Sequence, residues 1–210
     1  MDSDVRKLVE AIHASPKRIA LALTGGGTSA AGLLLALPGG SKTVLEVQVP
    51  YDSAALVEYL SQCPEQFCSR ETACLLAERA YERARWLAPG QTIIGIGSTA
   101  SLATDRPKKG DHRFHVGTRS AVELKCHSLT LQKGARDRET EENLLAVVLL
   151  NALAHSVGTD AQLKPPLLPA ETIQVTSELR ADQIEALAAG ALTSLCIEPD
   201  GRSRPDSALP

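Results

Sequence analysis

The stretch RIALALTGGGTSAAGLLL, residues 18–35, decides the architecture. An apolar run at residues 18–23 reads as a strand covered on both faces. Residues 28–36 read as a helix, and Gly25, Gly26 and Gly27 join the two. Strand, glycine loop and helix in that order bring free backbone N–H groups and the positive end of a helix dipole to one point, which suits an anion and most often a phosphate. The loop is neither G-x-G-x-x-G nor G-x-x-x-x-G-K-[ST]. The same residues also make sense as a tight strand-to-helix turn.

Elements of both kinds extend outward from this core. Residues 3–14 carry Val5, Leu8, Val9 and Ile12 at helical spacing, and residues 43–49 alternate as a strand with one wetter face. A short helix is expected from Tyr51 to Leu60. Ser69 caps a longer one whose core stripe runs through Ala73, Leu76, Ala80, Ala84 and Leu87. Residues 93–97 form a second buried strand that opens into a small-residue loop at 98–104. Phe114 and Val116, then Val122, Leu124 and Cys126, predict an antiparallel hairpin. Leu129 and Leu131 fall on the opposite parity, which a bulge at His127-Ser128 would reconcile. Thr140 caps a helix to about Ser156 that is apolar on nearly every side.

The pattern predicts a three-layer α/β/α sandwich with a mixed sheet over residues 1–158. Residues 159–210 are expected to be a Pro-rich linker around Pro165, Pro166 and Pro169. After it come one short helix within 180–192 and disorder over the last dozen residues. In such sheets ligands bind beyond the carboxyl ends of the strands, so loops 24–29 and 98–104 should face one crevice.

Composition narrows the function. The 210-residue chain has a formal charge of −3 and only 3% aromatic residues, against a general nucleic-acid or membrane-surface binder. The five cysteines lack zinc or disulfide spacing and read as reduced thiols, so no metal is expected and cytoplasm is the default location. No cofactor is implied. The basic run Arg106, Lys108, Lys109, His112 and Arg113 either steers a phosphate toward the crevice or forms a solvated loop.

Several segments carry a resemblance. Leu37-Pro38-Gly39-Gly40-Ser41 followed by Val47-Gln48-Val49-Pro50-Tyr51-Asp52-Ser53 resembles the P-G-A-S … V-x-Y-S-N signature of the CinA C-terminal domain family. Gly97-Ser98-Thr99-Ala100 resembles its T-G-I-A-G-P loop, and Gly134 through Arg138 its G-D-R segment. A nearer likeness is to the CinA-like domain that precedes a nucleotidylyltransferase domain in plant-type eukaryotic proteins. It runs through Val9 to Pro16, Val49-Pro50-Tyr51 and Arg106 to Phe114.

The resemblance implies a homo-oligomeric domain acting on the amide of nicotinamide mononucleotide. It carries the family's serine onto Thr24, the lysine that partners that serine onto Leu56, and an arginine of the following helix onto Glu142. A leucine cannot take a proton from a hydroxyl nucleophile. Lys42, Lys108, His112 and His115 are the alternative bases. Three readings follow. The first is a degenerate homologue that binds a pyridine mononucleotide or related ribose phosphate through Gly25, Gly26, Gly27, Thr28, Ser29, Tyr51, Ser98, Ser101 and Arg106. The second is an active amidase using Thr24 as nucleophile, with Thr99 and backbone N–H groups holding the oxyanion. The third is a scaffold for a nucleotidylyltransferase domain.

Overall fold

In the computed structural model, which describes residues 2–106, 108–180, 182–188, 194–199 and 203–205, the opening stretch folds as its pattern dictates. Helix α1 (Ser3–Ala14) precedes β1 (Arg18–Thr24), the glycine loop and α2 (Thr28–Ala36). A single turn α3 (Gly40–Thr43) leads into β2 (Val44–Gln48), then α4 (Ser53–Leu60) and α5 (Arg70–Leu87). Strands β3 (Ile93–Ser101), β4 (Arg113–Arg119) and β5 (Glu123–Thr130) are followed by α6 (Arg138–Val157) and β6 (Gln174–Leu179). Helix α7 (Gln183–Ala188) and the ribbon β7 (Leu195–Ile197) with β8 (Ser203–Pro205) complete the described chain.

The sheet order is β2-β1-β3-β4-β5-β6. Strands β2, β1 and β3 are parallel and β3 through β6 antiparallel, giving the mixed α/β sheet expected from the sequence.

Side-chain alternation divides the interior in two. Ile19, Leu21 and Leu23 of β1 join Ile94, Ile96, Phe114 and Val116 in one cluster with α1, α2 and α6. Ala20 and Ala22 face the other way, with Leu56 and Leu60 of α4 and Leu76, Ala80 and Ala84 of α5. On that second face β3 and β4 present glycine where α5 crosses them. A Cβ on Gly95 would lie 2.2 Å from the Ala77 carbonyl oxygen, one on Gly97 2.3 Å from the Ala77 nitrogen, and one on Gly117 2.6 Å from the Ala73 oxygen. Helix α5 therefore rests on the backbone of the sheet, and alanines at 73, 77, 80 and 84 let it approach.

Several local expectations change. Residues 98–101 are strand and not loop, because β4 pairs with them from Ser98↔Val116 to Ser101↔Arg113. The β4–β5 register runs unbroken through His127-Ser128, so no bulge is needed. The parity change arises because both faces are covered: Leu124 and Cys126 are buried on one and Leu129 and Leu131 on the other. Asp137 caps α6 by accepting from the Thr140 N–H, so this helix starts before Thr140. Leu87 ends α5 at 42% exposure, outside the core stripe.

The Pro-rich segment after Gly158 is irregular but fastened. The Asn151 side chain exchanges two 2.8 Å hydrogen bonds with the Leu163 backbone, and Glu171 is clamped by Arg136 at 2.6 and 2.7 Å. This delivers β6 to the sheet edge beyond β5, a strand the sequence pattern did not foretell. Of the helix expected within 180–192, residues 183–188 are helical, and 181 and 189–192 lie outside the described residues. Of the last dozen residues, expected to be disordered, 203–205 pair with 195–197; residues 200–202 and 206–210 lie outside the described residues. Among the described residues no helix is long and apolar enough to cross a membrane.

Candidate functional site

The carboxyl ends of β1 and β3 lie side by side, with Thr24 paired to Thr99. Two glycines make the loop after β1 possible. Gly25 has φ +74°, and a Cβ there would sit 2.0 Å from the Ala100 carbonyl oxygen. Gly27, φ +90°, is the N-cap of α2. The glycine loop and the end of β3 are thus pressed together.

The space in front of α2 is occupied from within the chain. Both carboxylate oxygens of Glu142, on α6, accept from the Gly27 N–H at 2.9 Å. Oε1 also accepts from the Ser29 N–H and hydroxyl, each at 3.2 Å, and from the Thr28 hydroxyl at 3.4 Å. A negative group at a helix N-terminus satisfies orphan amides and meets the positive end of the dipole. Arg138, one turn earlier on α6, donates to the Gly25 carbonyl at 3.0 Å and lies 3.8 Å from Glu142 Oε2. Ser98 donates to the Gly26 carbonyl at 3.4 Å on this same side.

The proposed reacting pair belongs to the other face. Alternation puts Thr24 beyond Ala20 and Ala22, toward α4 and α5. Thr99 follows suit, and its hydroxyl donates to the Phe67 carbonyl at 2.6 Å. Thr24 is 7% exposed, and among the described residues no amine or imidazole hydrogen-bonds to it. Leu56 is buried in the same layer and brings only carbon there. His115 is Thr99's neighbour on β4; its Nδ1 is 2.8 Å from the Ser128 hydroxyl. Burial, aided by the charge of Arg113, lowers its pKa to about 4, so the ring is neutral at ordinary pH.

The remaining candidates scatter. Tyr51 is 64% exposed in the β2–α4 connection. Ser101 accepts from Lys108 at 3.3 Å, and Arg106 projects into solvent. The basic run is largely spent on internal contacts. His112 is buried against Glu141 at 2.7 Å, Glu141 also accepts from the Ala103 N–H at 2.6 Å, and Arg113 donates to the Cys68 carbonyl at 3.2 Å. Pro107 lies outside the described residues.

Sequence reasoning did not foresee that Glu142 and Arg138 would meet the glycine loop. Their i, i+4 spacing marked a shared helix face, but nothing local said which loop that face would meet. Among the described residues no cluster of side chains suited to a metal is present.

No family model matches the sequence, and no curated protein matches it. Solved structures do. The competence/damage-inducible protein CihA from Agrobacterium tumefaciens superposes with a TM-score of 0.58 at 19% identity, over 75% of this chain and 96% of that one. A competence or damage-inducible protein from Enterobacter asburiae gives 0.58 at 15% identity, over 75% and 100%. A CinA superfamily protein from Escherichia coli gives 0.55 at 21% identity, over 75% and 91%. At these identities the likeness is one of fold.

Proposed function

We propose that this CinA-like fold serves as a ligand-recognising domain without amide-hydrolysing chemistry, and that its glycine loop receives the phosphate of a pyridine mononucleotide or related ribose phosphate. The observation that carries the reading is the Glu142 carboxylate, an anion held by the amides of Gly27 and Ser29 and by two hydroxyls. A donor set that holds a carboxylate has the chemistry to hold a phosphate. For a ligand to enter, Glu142 must swing out. Its side chain is 16% exposed beside the exposed Thr28, and Arg138 remains behind as a positive neighbour.

Hydrolysis loses its support for a physical reason. A threonine hydroxyl needs a proton acceptor, and Leu56 supplies none. The five free thiols accord with a reducing compartment such as the cytoplasm.

The test combines two measurements. Purified protein with nicotinamide mononucleotide should release no more ammonia than its Thr24→Ala variant. Thermal shift with nicotinamide and nicotinic acid mononucleotides should raise the melting temperature, more strongly for Glu142→Ala than for the wild type. Flat curves for both proteins would remove the ligand reading. They would leave the scaffold, in which β6 joins a second copy through its exposed edge, where Val175 and Leu179 are 52% and 86% exposed.

A further inference from the structure

On the face opposite the Glu142 cradle, the close seat of α5 has a second effect. The Ala73 carbonyl oxygen stands 2.6 Å from the Cβ position of Gly117, and Gly117 is the register partner of Cys126 on β5. Cys74 follows Ala73. Directly opposed residues of an antiparallel pair have Cα atoms roughly 4.5–5.5 Å apart, and consecutive residues about 3.8 Å. Cys74 and Cys126 are thereby brought to the same side of the α5–β5 contact, where each thiol shifts the other's pKa, Cys126 downward and Cys74 upward.

Both cysteines line one open groove of about 550 Å³ between α5, β5 and β6. Cys126 is buried and Cys74 half-buried, so a reagent reaches the pair through this groove. Arg70 and Arg180 at its wall are ion-paired, Arg70 with Glu71 and Arg180 with Glu78 and Glu178. With three glutamates against two arginines, the groove itself does not select an anionic reagent.

We propose that Cys74 and Cys126 form a redox-active dithiol, oxidised by a small-molecule disulfide such as oxidised glutathione to a bridge between α5 and β5. The Cys126 sulfur attacks one sulfur of the small disulfide. That S–S bond breaks, and the first thiolate departs and takes up a proton. The Cys74 thiol then gives up its proton, and its sulfur attacks Cys126 Sγ, expelling the second small thiolate, which is protonated in turn. The dithiol is oxidised by two electrons and one disulfide becomes two thiols.

The Cys74 S–H donated toward Cys126 holds the Cys126 thiol below its ordinary value, while Cys74 itself is pushed well above. Cys68 does not compete: its thiol faces the Arg113 carbonyl at 3.8 Å and burial raises its pKa.

The experiment is native incubation of the full chain with oxidised glutathione, blocking of residual thiols, and peptide mapping by mass spectrometry without reduction. Titratable thiols should drop from the five of the untreated protein to three, with the peptide of Cys74 joined to that of Cys126 and a raised melting temperature that reductant reverses. Cys74→Ala should stop halfway, holding one glutathione on Cys126, a readout that needs only a folded variant by circular dichroism. Glutathione found on Cys63 or Cys196 while Cys74 and Cys126 stay alkylatable would overturn the proposal. So would a bridge between any other two cysteines.

Discussion

Toward α6 the sheet presents Ile94, Ile96, Phe114 and Val116, whereas toward α5 the same two strands present Gly95, Gly97 and Gly117. On the first side, side chains fill the gap between layers; on the second, backbone meets backbone. A layer of large side chains fails by losing volume, because each missing atom leaves a cavity. A layer of glycines fails by gaining volume, since nothing flexible stands in the way to yield. The two halves of the candidate site inherit this difference. The anion cradle, with Ser98, Ser29 and Glu142, stands on the side-chain-rich face, and Thr24, Thr99 and His115 stand on the thin one.

The largest effect is expected on the thin face. Gly97→Val should abolish cooperative unfolding, because its Cβ would meet α5 backbone at 2.3 and 2.5 Å, where no side chain can move aside. The cost should exceed the roughly 1–3 kcal/mol of ordinary overpacking. A variant that melts like wild type by circular dichroism would break the contrast between the faces.

On the opposite face Phe114→Ala should lower unfolding free energy by about 3–5 kcal/mol in urea while leaving the native spectrum intact. Phe114 is 0% exposed. A loss under about 1 kcal/mol would mean that the α6 layer can collapse around the void.

A smaller effect distinguishes the faces by titration. His115 on the α5 side and His127 on the α6 side both have their pKa lowered from 6.5 to about 4, chiefly by burial. The unfolded chain therefore takes up protons near pH 6.5 that the folded chain accepts only near pH 4. Stability should fall as pH drops through that window and recover above it. His115→Gln and His127→Gln should each flatten the fall, followed by chemical denaturation at pH 7, 5.5 and 4. Equal profiles for wild type and variants would show that neither ring is buried as described.

Legibility in the sequence followed the range of the forces involved. The strand at residues 18–23, the helix at 28–36 and the Ser69 cap rest on local periodicity and capping chemistry, and all are present. Residues 98–101 looked like a loop because Ser98, Ala100 and Ser101 are small and carry no strand signal, yet β4 supplies their backbone partners. Strand β6 was illegible for a related reason. Its residues are exposed throughout, so no buried alternation marks them, and pairing with β5 makes them a strand.

The site divides along the same line. Residues 18–36 alone specify the glycine loop and the amides at the start of α2, because backbone conformation there follows from Gly25 and Gly27. That Leu56 offers no proton acceptor is equally a matter of sequence. Which anion fills the cradle is not: Glu142 lies 113–115 residues from its donors, and only the packing of α6 beside α2 brings its carboxylate to Gly27. Tertiary structure also set Thr24 and Thr99 on one face and the cradle on the other, because the side chains of an extended strand must alternate.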